Sequence, residues 1–108
     1  MTNKMVVYRV EDRFTGTGPY QGVSNSSYVL SDAHASHVSS AHPAWAVDGI
    51  SPRSNYGGGF DSLDKLMSWF AGHMDMLIEE GFIIRVFWVN PADVFFGDSG
   101  KQLAFPRW

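Results

Sequence analysis

The alternation of apolar and polar residues predicts several strands, the strongest of them late in the chain. Residues 82–89, FIIRVFWV, are apolar on both faces of an extended chain apart from Arg85, which predicts a strand that is central in its sheet. Residues 5–10, MVVYRV, combine β-branched and aromatic types and are followed by charged residues, which indicates a first strand. The segments DVFF and KQLAF, joined by GDSG, predict a β-hairpin, and Pro106 closes its second strand.

A helical period occupies the segment before the strong strand. Its apolar residues fall at i, i+3, i+4 and i+7, and they are Leu63, Leu66, Met67 and Phe70. Asp61 or Ser62 is suited to cap the start of this helix. Gly72 is placed to interrupt it, and Gly81 supplies the residue that commonly follows a helix in the left-handed conformation.

Residues 16–59 have no clear period and are rich in Ser, Gly, Asn, His and Pro. Long irregular segments in small domains are usually binding loops, lids or disorder. Residues 26–31, SSYVLS, are the one candidate strand, and the three glycines at 57–59 provide either a hinge or a close backbone approach. The sequence therefore predicts one α+β domain over residues 1–108. In it, a small, mostly antiparallel sheet packs against one helix, broken or continuous, and a long irregular loop carries the function.

The composition argues against several classes of protein and of functional site. The chain has 108 residues, which is room for one core, and no cysteine, which excludes disulfides, thiolate zinc sites and a cysteine nucleophile. Its net charge is −3 and it has no run of Lys and Arg, so direct nucleic-acid binding is not expected. It lacks an apolar run of about 20 residues and the core of a signal peptide, so we expect a cytoplasmic protein without a membrane partner.

Three of the four histidines lie in DAHASHVSSAHPAW, residues 32–45. His34, His37 and His42 have the spacing H-x2-H-x4-H, with Asp32 and Asp48 nearby, and imidazole and carboxylate groups bind zinc. Against zinc, the stretch is irregular, and close ligand pairs work best on a regular element. The alternatives are a polar surface loop, which we favour, and a loop that binds a ligand without metal.

No catalytic residue is predicted. The serines do not form a G-x-S-x-G nucleophile elbow, and the glycine-rich GTGPYQG lacks the Lys-Ser/Thr of a phosphate-binding loop. Arg9 and Arg85 each place a charge inside an apolar strand. Such an arginine either extends to solvent or reaches into a pocket and binds a carboxylate or phosphate through two hydrogen bonds.

The segments YRVEDRFTGTGPY, GFDSLDKLMSWF, EEGFIIRVFWV and KQLAF, in this order and with HP between the first two, resemble small phage and prophage accessory proteins. The resemblance implies a non-enzymatic protein that binds and inhibits or modulates a host protein, in the manner of an anti-CRISPR or other anti-defence protein. Aromatic side chains dominate interface energies, so the expected contact residues are Tyr20, Tyr28, Trp45 and Tyr56. The acidic balance would favour a basic host surface, and KQLAFPRW or VFF offers an edge for a homodimer.

The order of elements also resembles ADP-ribosyltransferase-like domains. This similarity implies that Arg9 holds a dinucleotide such as NAD, that Tyr20 or Tyr56 stacks on its nicotinamide, and that His42 lines the same pocket. Gln102 stands where those enzymes carry a glutamate, so the resemblance implies a degenerate nucleotide-binding domain rather than an active transferase.

Overall fold

The computed structural model describes residues 3–20, 45–51 and 54–108, and it has the predicted α+β architecture. Its elements in chain order are β1 (Met5–Asp12), β2 (Tyr56–Gly59), α1 (Leu63–Trp69), α2 (Met74–Glu79), β3 (Phe82–Val89), a 3-10 turn (Pro91–Asp93), β4 (Phe95–Phe96) and β5 (Leu103–Pro106). The first strand, the strong strand and the hairpin are thus confirmed. The prediction that residues 16–59 are irregular is wrong at its end, because Tyr56–Gly59 form β2 by pairing with β5, a partner distant in the chain. The candidate strand at 26–31 lies outside the described residues.

Two antiparallel sheets meet edge to edge. β1 pairs with β3, from Met5 opposite Val89 to Asp12 opposite Phe82. The second sheet has the order β2-β5-β4. Tyr8 and Phe60 join the two sheets, because each donates its backbone N–H to the other's carbonyl at 2.8 Å. This bridge brings the glycine strand β2 next to β1 and forms the junction at which the candidate site lies.

The helical layer is broken as the sequence predicts. Ser62 caps α1, and its Oγ accepts a hydrogen bond from the backbone N–H of Lys65 at 3.1 Å. Gly72, between α1 and α2, has a φ of +83°, and Gly81, after α2, has a φ of +94°. Both are left-handed conformations that glycine adopts without the steric cost of a Cβ, so these two glycines set the break and the end of the helical layer.

β1 has buried side chains on both faces, because successive residues of a strand point in opposite directions. Val10 packs on the helix side, in a cluster with Phe60, Leu66, Trp69, Phe70, Met74, Leu77 and Phe82. Val7 packs on the opposite side with Leu103 and Phe105 of β5. The central position in the fold therefore belongs to β1.

The expectation that β3 is central is wrong for the described residues. β3 pairs with β1 on one edge, and no described strand pairs with its other edge. On its helix-side face Ile84, Val86 and Trp88 are 37%, 50% and 70% exposed. This face is exposed because α2 is shorter than β3: the six residues of α2 cover about 9 Å, whereas the eight residues of β3 extend about 26 Å. The helices therefore shield only the Phe82 end.

Residues 45–51 of the predicted loop are fastened to the hairpin by Asp48. This buried carboxylate accepts hydrogen bonds from the Ser99 N–H at 2.6 Å, the Ser99 hydroxyl at 2.9 Å and the Gln102 amide at 3.1 Å. The backbone N–H of Asp98 also donates to the Asp48 carbonyl at 2.8 Å. Asp48 thus holds the turn between β4 and β5, and Ile50, beside it in the chain, is buried.

Candidate functional site

A cavity of about 560 Å³ opens at the junction of the two sheets. β1, the glycine strand β2, the loop at 18–20 and the C-terminal end of α1 all contribute to its wall. Seven of the described lining residues are aromatic: Tyr20, Trp45, Tyr56, Phe60, Trp69, Phe70 and Trp108. We call this cavity the aromatic pocket.

The glycines of β2 form one wall of the aromatic pocket because larger residues would collide with its supports. A Cβ on Gly57 would lie 2.8 Å from Nη1 of Arg9, and a Cβ on Gly59 would lie 2.6 Å from Cγ1 of Val7. The sequence allowed the glycines at 57–59 to be either a hinge or a place where two backbones approach closely. The structure shows the close approach, and the glycines lie in an extended strand paired with β5. At Gly58 a Cβ would make an ordinary 3.5 Å contact with the Trp45 ring.

Tyr20 is held in the pocket wall by α1. Its hydroxyl accepts a hydrogen bond from the indole N–H of Trp69 at 2.8 Å, and its ring centre lies 6.3 Å from that of Phe70. Burial raises the pKa of Tyr20 to about 12, although the hydrogen bond from Trp69 acts in the opposite direction. The residue is nevertheless 37% exposed and lines the pocket, so Tyr20 is a fixed part of the pocket wall.

Tyr56 and Trp45 complete the group of predicted contact residues that the structure describes. The Tyr56 hydroxyl donates a hydrogen bond to the Asp93 carbonyl at 2.6 Å, and its ring centre is 5.4 Å from that of Phe95. Both Tyr56 and Trp45 are half-buried. Three of the four predicted residues thus line one cavity, and the fourth, Tyr28, lies outside the described residues.

Three arginines surround one buried glutamate behind the pocket. The fully buried carboxylate of Glu11 accepts hydrogen bonds from Nε of Arg9 at 3.0 Å and from Nε and Nη2 of Arg107 at 2.7 and 2.8 Å. Nε of Arg85 lies 2.8 Å from the same carboxylate, in an ion pair whose N–H does not point at the oxygen. One negative charge therefore faces three positive charges. We call these four residues the arginine cluster.

The charges of the cluster shift its pKa values. Burial by itself raises the pKa of the Glu11 carboxyl, but the hydrogen bonds and positive charges of Arg107 and Arg9 outweigh it and leave that pKa below its ordinary value. The hydrogen bonds to Glu11 raise the pKa of Arg107. Burial lowers the pKa of Arg9, against the opposing effect of Glu11. Glu11 is therefore a buried anion held charged by its neighbours.

Arg9 connects the arginine cluster to the aromatic pocket. It lines the pocket, donates from Nη1 to the Gly58 carbonyl at 2.9 Å and from Nη2 to the Gly16 carbonyl at 3.1 Å, and lies 5.3 Å from the Trp108 ring centre. The structure thus brings Arg9 and Tyr20, two of the residues predicted to bind a nucleotide, into one cavity. The third, His42, lies outside the described residues.

The remaining residues singled out in the sequence lie outside the aromatic pocket or outside the described residues. His34, His37 and His42 are all outside the described residues, and within the described ranges no group of three or more His, Asp or Glu residues is arranged to hold a metal ion. Arg85 forms an ion pair with Glu11 at 2.8 Å while its side chain stays 41% exposed, and its Nε makes no hydrogen bond among the described residues, so it does not show the predicted two-hydrogen-bond contact inside a pocket. The sequence did not indicate a role for Glu11 or Arg107, because Glu11 has the pattern of a polar residue at the end of a strand. The available signal was its i, i+2 spacing from Arg9, which places both side chains on one face.

Comparison with known proteins places the chain among phage proteins. A family model described as Bacteriophage T4 Y00F protein matches residues 5–107. The chain belongs to this family. The match includes all of β1 through β5 and Arg107 of the arginine cluster, and it confirms the resemblance to small phage proteins. Neither a curated protein nor a solved structure matches the chain. In the part of this phage protein that the structure describes, no helix is long and apolar enough to cross a membrane.

Proposed function

We propose that this phage accessory protein acts by binding a host protein, which it inhibits or modulates. The observation that carries the proposal is the apolar stripe on β3, formed by Ile84, Val86 and Trp88. Alternate residues of a strand share one face, so these three side chains form a continuous row. Exposed apolar rows of this kind mark interaction sites in soluble proteins, and tryptophan is enriched among residues that dominate binding energy.

The stripe is uncharged, and within the described residues no strand pairs with the second edge of β3. Arg85, the charged residue of β3, points to the other face, towards Glu11. Edge strands are usually protected from other chains by lysine, proline or a bulge, and the sequence FIIRVFWV contains neither lysine nor proline. An exposed tryptophan next to such an edge supports a role in binding.

The charge distribution supports a basic partner surface. The helical segment 61–80 contains five acidic residues, Asp61, Asp64, Asp75, Glu79 and Glu80, and all of them are exposed. Lys65, the one lysine or arginine of this segment, is paired with Asp61 at 2.8 Å. Because α2 packs against β3, the acidic residues of α2 belong to the layer on the same side of the sheet as the apolar stripe. Charges at the edge of an interface accelerate and orient association with an oppositely charged partner.

The test is capture of host proteins from a lysate by the wild type, Trp88→Ala and Phe14→Ala. Phe14 is the matched control, because it is 88% exposed and lies outside the stripe. We expect the wild type and Phe14→Ala to capture the same host protein, Trp88→Ala to lose it, and the purified partner to be inhibited only by the first two. Equal capture by all three variants, or capture of nothing, contradicts the proposal.

A further inference from the structure

We propose that the aromatic pocket binds a small ligand with a planar aromatic ring and an anionic group, which goes beyond the proposed function and does not involve the β3 stripe. The cavity volume of about 560 Å³ lies in the range of about 300–1,000 Å³ that is usual for small-molecule sites. Tyr20, Trp45 and Trp108 are among the residues that line it. Aromatic rings stack on one another in offset or tilted arrangements.

The walls of the pocket are held by contacts within the protein. The Trp69 N–H fixes the Tyr20 hydroxyl at 2.8 Å, and the Asp93 carbonyl fixes the Tyr56 hydroxyl at 2.6 Å. The glycines of β2 belong to a paired strand. A ligand that enters such a site loses little affinity to the ordering of side chains.

The charge around the pocket selects the ligand. No acidic residue is among the described residues that line it, whereas Arg9 is. Arg9 carries five guanidinium N–H groups, and within the described residues three of them donate to Glu11, Gly58 and Gly16. The arginine cluster also has two more positive charges than negative ones. An anionic group is therefore attracted to the Arg9 side, and a cation is repelled.

Three indole compounds that share one ring and differ in charge distinguish the contribution of ring shape to binding from the contribution of charge. Indole-3-acetate is anionic, indole-3-acetamide is neutral and tryptamine is cationic at neutral pH. We expect calorimetric titration of the full chain to give affinities in that order, with tryptamine about tenfold or more weaker than indole-3-acetate. Adenosine monophosphate should likewise bind more tightly than adenosine. Equal affinities, tighter binding of tryptamine, or no binding of any of these compounds overturns the proposal.

Gly58→Ala locates the ligand. The added methyl group would meet the Trp45 ring at 3.5 Å, and Gly58 does not have a positive φ, so the variant should fold and have a smaller pocket. We expect it to weaken indole-3-acetate binding about tenfold, with an unchanged melting temperature. Trp88→Ala, outside the pocket, should bind the compound as the wild type does. The reverse pattern contradicts the assignment. Since host capture depends on Trp88 and not on Gly58, the two proposals fail separately.

Discussion

Glu11 and Arg107, 96 positions apart in the chain, are joined by two hydrogen bonds, from Nε to Oε1 at 2.7 Å and from Nη2 to Oε2 at 2.8 Å. This paired geometry matches the planar fork of arginine to the two oxygens of a carboxylate. It ties β1 to the residue after β5, and so it connects the two sheets on the side opposite the helices. Arg9 and Arg85 contact the same carboxylate, which makes Glu11 the shared counter-ion of three strand regions.

Glu11→Gln should lower the free energy of unfolding by about 3–5 kcal/mol, because it leaves three clustered arginines without their buried counter-ion. Urea denaturation at pH 7 measures the change. Asp75→Asn is the control, since Asp75 is an exposed acidic residue of α2, and its effect should be within about 0.5 kcal/mol. Similar unfolding curves for the two variants would show that the arginine cluster contributes little to stability.

The contribution of Glu11 should disappear in acid. The pKa of Glu11 is lowered in the folded protein, so its stabilisation is complete above the unfolded-state value of about 4.3 and is lost as the pH falls through the lower folded value. The difference in unfolding free energy between the wild type and Glu11→Gln should therefore decrease as the pH is lowered from about 5 to 3. Denaturation at a series of pH values tests this, and a difference that does not change with pH contradicts it.

Gly59→Ala should destabilise the fold by about 1–3 kcal/mol, because its methyl group would lie 2.6 Å from Val7 Cγ1 and 3.1 Å from the Tyr8 carbonyl oxygen. Gly58→Ala, one position earlier in β2, should change stability by less than about 0.5 kcal/mol. Thermal denaturation of the pair measures the difference. If both variants melt together with the wild type, the close approach of β2 to β1 is not as tight as the contacts indicate.

Asp48→Ala should cost about 1–3 kcal/mol, because it removes the acceptor for the Ser99 N–H and the Gln102 amide. The loss should be accompanied by faster amide exchange in the turn between β4 and β5, which hydrogen-exchange mass spectrometry detects. Asp98→Ala removes an exposed carboxylate from the same turn and should leave the exchange of Ser99 and Lys101 unchanged. Equal exchange in the two variants would show that another contact holds the turn.

Local chemistry explains what the sequence predicted well. The capping by Ser62, the helix break at Gly72 and the helix end at Gly81 depend on residues within one or two turns of the chain. The hairpin of β4 and β5 likewise depends on a short turn between two apolar runs. Two strands differ from the prediction. β2 lies in the segment predicted to be irregular, and β3 is not central among the described strands, because an apolar pattern does not state what covers each face and edge of a strand.

The sequence by itself determined the fold class and most of the elements in their order, because hydrophobic period and turn residues act over short distances. The exception is β2, which lies inside the segment predicted to be irregular. Tertiary structure decided the rest. It placed Tyr20 and Trp69, 49 positions apart, in one pocket wall, and it gathered Arg9, Arg85 and Arg107 around Glu11. A strand arginine looks the same in the sequence whether it faces solvent or a carboxylate. Only the packing of distant strands assigns its partner and leaves Ile84, Val86 and Trp88 of β3 exposed.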